Sequence, residues 1–232
     1  MNARPLQDAA LERRGIAHGF GVRGAPAPPG LLRPRQVHGA VVVAAEACLP
    51  PGPAPEADAV VACAPGLSVG VVTADCVPVL LVAAGGAAVA AVHAGWRGLA
   101  RGVIGAGVAA VARAAGAEPR EVVAAIGPHI GPCCYEVDAP VLDALALALG
   151  REATSSWRAV REGHAMLDLG RAVRLALARA GVPEAAIGDD AARCTACDRE
   201  RFHSYRRDGP RAGRLVHFVE VPARPGLRSR EA

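Results

Sequence analysis

Compact apolar runs of six or seven residues, rich in Val and Ala and bounded by Gly or Pro, recur through the first half of this chain: 40–45, 58–63, 68–73, 78–83 and 87–93. Runs of that length with β-branched residues predict strands buried on both faces. The spacing then lengthens. Leu99, Val103, Ile104, Val108 and Val111 recur at helical intervals and predict one helix over 98–115. A strand follows over 121–126. Tyr135 and Glu136 read as the opening of a further helix, with 138–149 as its body and Gly150 as its stop. Asp168 is a fitting N-cap for a helix through 171–180 that Gly181 and Pro183 terminate, and 215–221 is a late strand. The proline-rich stretches 25–30 and 50–55 read as surface loops. The pattern predicts an α/β (α+β) sandwich, a mixed β-sheet covered by helices, in one domain over 1–232 with a disordered tail at 223–232.

Composition narrows the partners. Aromatics make up only 3% of the chain, so Val, Leu and Ala must fill the core. Every one of the 26 basic residues is Arg, and the net charge of +4 is scattered along the sequence. A nucleic-acid groove needs a longer basic stripe with interleaved aromatics, so no nucleic-acid partner is expected. The apolar stretch 77–92 is broken by Pro78, Gly85 and Gly86, which suits strands and not a membrane span. The first residues have no apolar leader segment, and the seven cysteines are odd in number. Both point to a reducing cytoplasm, with cysteines as thiols or ligands and not bridges.

Three segments end on residues able to ligate a metal: RQVHG (35–39), TADC (73–76) and VHAGWRG (92–98), offering His38, Cys76 and His93. Two imidazoles and a thiolate suit zinc, and three protein ligands leave a fourth position open, as catalytic sites do. Each residue alone has an ordinary reading: a surface histidine, a small buried thiol, a histidine satisfied at a strand end. Their joint setting among Gly, polar groups and strand ends favours a shared site. Asp75 beside Cys76 is placed to orient a ligand or substrate, and Thr73 by its hydroxyl. Gly95 and Gly98 allow a tight turn into a helix whose N-terminus, with Arg97, makes an anion site. Arg35 is a second candidate for a polar substrate, and SYRRDG offers Ser204, Tyr205 and Arg206 for a phosphate or sugar. Cys133 and Cys134 are adjacent and read as two reduced, buried thiols. The CxxC of Cys194 and Cys197 lacks a second CxxC, an HxxxH or a thioredoxin-like setting, which argues against a metal role.

RQVHG, TADCVPVLL, VHAGWRG, IGPHIGPCCYEV and FHSYRRDG, in this order, resemble the bacterial YfiH-like family, also called laccase-domain or polyphenol-oxidase-like, over about residues 33–220. The resemblance implies a sandwich fold related to cysteine hydrolases. It implies a Zn²⁺-dependent enzyme that phosphorolyses adenosine, inosine, guanosine and methylthioadenosine and deaminates adenosine. It also implies that the family's metal ligands fall on His38, Cys76 and His93. The partners expected are purine nucleosides and phosphate, and the assembly a monomer or small homo-oligomer.

Zinc with Arg35 and Arg97 would hold phosphate for phosphorolysis, and Asp75 would shuttle a proton in deamination. A metal-free hydrolase or deamidase is the first alternative, with Cys76 attacking and His93 as base. Copper-dependent oxidation of phenols is the second, since copper also takes two His and one Cys. Against it stand only two methionines for an axial position, and seven histidines with no HxH pair. A non-catalytic zinc or nucleotide binder is the third.

Overall fold

The structure, a computed structural model, describes residues 3–223; the tail predicted at 223–232 therefore lies, apart from Ala223, outside the described residues. In chain order the elements are α1 (Ala9–Glu12), β1 (His18–Phe20), β2 (Val42–Ala44), β3 (Ala59–Ala62), β4 (Ser68–Thr73), β5 (Val77–Ala83), β6 (Ala88–Ala94), α2 (Trp96–Ala100), α3 (Val103–Ala115), β7 (Val122–Ile126), β8 (Glu136–Asp138), α4 (Ala139–Leu149), β9 (Trp157–Arg161), β10 (His164–Leu167), α5 (Leu169–Arg179), β11 (Ile187–Gly188), α6 (Tyr205–Asp208) and β12 (Leu215–Glu220).

A six-stranded mixed sheet, in the order β11-β7-β5-β6-β3-β2, forms the centre. One face packs on α3, α4 and α5; the other packs on an antiparallel sheet of order β1-β12-β4. Strand periodicity makes this possible. In β5, Val79, Leu81 and Ala83 join the helix-side core, whereas Leu80 and Val82 join the core between the sheets. With both faces covered, the strand needs an unbroken apolar run. A small antiparallel sheet of order β8-β10-β9 lies apart from the other two.

Two elements differ from the sequence expectation. The helix expected over 98–115 is two helices, because Gly102 turns left-handed (φ +85) between Ala100 and Val103. Tyr135 and Glu136 do not open a helix; Glu136 begins a strand paired with β10, and α4 starts at Ala139 behind its N-cap, Asp138. A helix from Tyr135 would have carried Pro140 in its interior, where its ring clashes and an N–H is missing. Asp168 does cap α5, its carboxylate accepting from Arg171 N–H at 2.9 Å.

His217 lies fully buried between the sheets, and it carries a pH prediction. Gly21 N–H donates to its Nδ1 at 3.3 Å, so its proton sits on Nε2, facing Thr73 Oγ1 at 2.9 Å. Protonating Nδ1 would set two donors against each other. Burial, reinforced by the charge of His93, pushes the ring down to about 3 from an ordinary 6.5. The folded state thus refuses a proton that the unfolded chain accepts. Stability is therefore expected to fall as pH drops below 6.5, by about 1.4 kcal/mol per pH unit from this residue, approaching about 5 kcal/mol near pH 3. Denaturant titrations between pH 7 and 5 should show a shallower pH slope in His217→Gln than in the parent.

Candidate metal centre

The strand ends bring the three sequence-predicted ligands together. His93 is near the end of β6, Cys76 closes the crossover from β4 to β5, and His38 sits in the loop before β2. One donor atom from each lies within 4.8 Å of the other two. His38 Nε2 is 4.0 Å from Cys76 Sγ, and the two imidazoles meet edge to face at 4.8 Å. Tetrahedral zinc with bonds of about 2.0–2.3 Å would need donors roughly 3.3–3.8 Å apart, so the side chains close on an ion by small rotations. His93 is buried, Cys76 partly so, and His38 exposed, which leaves solvent one side of approach.

Asp58 organises these ligands, and the sequence reading did not single it out. Its buried carboxylate accepts from the backbone N–H of Val37 (3.2 Å), His38 (2.9 Å) and Gly39 (2.6 Å), and bonds His93 Nδ1 at 2.7 Å. It thus pins the loop that holds His38 in a left-handed conformation (φ +59), which a non-glycine residue adopts only when its surroundings impose it. It also directs His93 Nε2 toward the site, the carboxylate–histidine arrangement typical of metal ligands. Burial opposes charge on Asp58, but His93 and the Gly39 and Val37 N–H groups outweigh it and hold the carboxyl below its usual range. Burial likewise opposes charge on His93, yet Asp58 and then Cys76 raise it to about 9. Burial pushes the Cys76 thiol up, and the hydrogen bonds of His38 and His93 bring it down to about 6. A thiolate between two imidazoles held by a carboxylate is a donor set that fits Zn²⁺, which would replace the protons these groups otherwise share.

A cavity of about 750 Å³ opens over the ligands. Of the predicted residues, Arg35, Thr73, Asp75, Arg97, Tyr205 and Arg206 line it with His38, Cys76 and His93, as does Gln36, the polar neighbour of Arg35; Tyr135 and Arg214, to which the sequence assigned no place in a site, do so too. Ser204 does not: it is fully buried and caps α6, its Oγ accepting from Arg207 N–H. The helix after Gly95 is only five residues long, too short for aligned peptide dipoles to add up, so the arginines carry the anion argument. Arg35 pairs with Glu56. Arg97 stacks on Trp96 at 4.4 Å, Arg206 on Tyr135 at 5.0 Å, and neither makes an ion pair among the described residues. Asp75, also left-handed (φ +92), accepts from Thr195 Oγ1 and from Arg206 N–H, both at 2.6 Å. Burial and then the nearby Cys76 thiolate raise Tyr135 to about 12, so its hydroxyl stays protonated.

The thiols expected to be buried at 133 and 134 are not: Cys133 is exposed and Cys134 only partly covered. The loop after β7 must leave the sheet to reach β8, and it carries them to the surface.

Fold and donors together define an α/β sandwich with three convergent side chains able to ligate a metal at the rim of its central sheet. The model of the family described as multi-copper polyphenol oxidoreductase laccase matches residues 12–222, and the chain belongs to that family. The match begins before residue 33, where the motif resemblance started. The chain is 43% identical over 146 residues to the purine nucleoside phosphorylase YlmD of Geobacillus stearothermophilus, covering 63% of this chain and about half (53%) of that relative. It is 39% identical over 203 residues to a purine nucleoside phosphorylase of Xylella fastidiosa, covering 85% of this chain and 74% of the relative. The crystal structure of Bacillus licheniformis YfiH superposes with a TM-score of 0.81 at 27% identity, covering 90% and 94% of the two chains. No helix among the described residues is long and apolar enough to cross a membrane.

Proposed function

We propose that this chain is a zinc-dependent purine nucleoside phosphorylase, acting on adenosine, inosine, guanosine and methylthioadenosine, with adenosine deamination as a second activity of the same cavity. The observation that carries the reading is the meeting of His38, Cys76 and His93 beneath a cavity lined by four arginines and one carboxylate. The names of the relatives supply the substrate class. Zinc held by these three side chains would supply Lewis-acid polarisation of a phosphate or water oxygen. Arg97 and Arg206, their planes fixed by stacking, and Arg35 and Arg214 bind the phosphate and aim it at the ribose carbon that the purine leaves. Such alignment contributes several kcal/mol to the barrier, about 7–11 in well-oriented models. Ile130, Leu169 and Tyr205 offer the apolar wall for the base. Asp75 holds Arg206 in place and, as the only carboxylate lining the cavity among the described residues, carries the proton in deamination.

Incubation of zinc-loaded protein with adenosine and phosphate is expected to give adenine and ribose 1-phosphate by phosphorolysis, and inosine by deamination. Neither product, from protein that retains zinc, would overturn the reading.

One observation supports a second reading. Cys76, His93 and Asp58 are also arranged as a nucleophile, base and orienting carboxylate. That reading gives His38 no task, although Asp58 holds it in a costly conformation. Copper oxidation is less favoured, because Met166 does not line the cavity and supplies no axial sulfur there.

A further inference from the structure

The CxxC segment finds its missing partners in the vicinal cysteines. One Sγ from each of Cys133, Cys134, Cys194 and Cys197 lies within 4.8 Å of the other three. Cys133 and Cys197 are 3.5 Å apart, Cys134 and Cys197 3.4 Å. Bonded sulfurs would stand about 2.05 Å apart. Four thiolates around one zinc, with bonds of about 2.3 Å, would stand near 3.8 Å apart. The sulfurs are too far apart for a disulfide and close enough to share one ion after small rotations.

The surrounding backbone is built to hold these sulfurs. Segments 129–131 and 193–195 are paired: His129 N–H donates to Arg193 O and Thr195 N–H to His129 O, both at 3.0 Å. Gly131 N–H donates to Cys194 Sγ at 3.3 Å, and an N–H···S bond of this kind favours a thiolate. Among the described residues no histidine or carboxylate joins the four, and thiolates alone select zinc among the common divalent ions.

We propose that Cys133, Cys134, Cys194 and Cys197 form a second metal site, a closed tetrathiolate Zn²⁺ centre with a structural role. Its position says what it fastens. Cys134 precedes Tyr135, and its carbonyl faces Arg206 Nη1 at 3.4 Å; Thr195, inside the CxxC, holds Asp75. The centre therefore clamps together two loops that carry one wall of the substrate cavity. All four positions are filled by protein, so it offers no vacancy for catalysis.

The test uses Cys76→Ala protein, in which the three-ligand site is disabled. It is expected to retain one zinc per chain by elemental analysis, where the parent holds two. Cobalt exchanged into the variant should give the intense thiolate charge-transfer and tetrahedral d–d bands of a four-sulfur site. In the same Cys76→Ala protein, titration with a mercurial should release the remaining zinc as the four clustered thiols are consumed, a measurement that needs no substitution among them. A metal-free Cys76→Ala protein, an iron spectrum in place of zinc, or a mass two hydrogens light from a disulfide among these cysteines would each overturn the proposal. The outcome is separable from the phosphorylase reading, since the readout is metal content and spectrum, not turnover.

Discussion

Cys76→Ala protein is expected to fold, to lose the zinc of the cavity, and to lose about 10³-fold or more in kcat/KM for inosine phosphorolysis. Cys76 supplies the only anionic donor among the three ligands. Without it two neutral imidazoles face the ion, one of them on an exposed loop. Metal polarisation is worth several kcal/mol at a transition state, and each 1.36 kcal/mol is tenfold in rate. The side chain is small and partly buried, so folding should change by no more than about 1–2 kcal/mol. Steady-state kinetics, metal analysis and a denaturant midpoint on one preparation separate the effects. Full activity in this variant would remove the metal from the mechanism. Chelation of the parent completes the comparison: activity that falls with zinc and returns with it supports the metal centre, whereas indifference to chelator favours a Cys76–His93 hydrolase.

The second large effect is expected at Asp58. Its two oxygens serve three backbone N–H groups and His93 Nδ1. Asn at this position keeps the shape but offers one acceptor oxygen and turns an NH2 donor toward other donors. Asp58→Asn is therefore expected to weaken zinc binding 10–100-fold, the usual cost of losing a partner that orients a metal ligand. Asp58→Ala abandons all four donors and removes the counter-charge of His93, and should cost about 3–5 kcal/mol of stability. Competition with a chromophoric chelator measures the first, urea denaturation of metal-free protein the second. Unchanged zinc affinity in Asp58→Asn would mean that the loop at 37–39 is held by other contacts.

Why Asp58 escaped the sequence reading is physical. It stands before the apolar run AVVA, where a single acid looks like a solvated strand boundary, and its partners are 19–21 residues away in the loop 37–39 and 35 residues away in β6. The convergence of His38, Cys76 and His93 was legible, because Cys76 and His93 stand at strand ends beside a polar neighbour or near Gly, and His38 stands in a loop beside Gly39. The central strands were legible for a similar reason: burial on both faces demands continuous Val and Ala, and β4, β5 and β6 match their apolar runs to within a residue. The β8-β10-β9 sheet was not, since β9 is largely exposed and has no apolar face to impose alternation. Nor was the approach of Cys194 and Cys197 to Cys133 and Cys134, which depends on pairing between segments 63 residues apart.

The turn at 95–98 bears on how this cavity can diversify. A methyl on Gly95 would meet Cys76 Sγ at 2.9 Å and His38 Cδ2 at 3.2 Å, and one on Gly98 would meet the carbonyl of Gly39 at 2.9 Å. The floor under the ligands thus admits no added atom without displacing a donor or a main chain. Libraries aimed at new nucleobases should spare it and vary Tyr205, which lines the cavity and is half exposed.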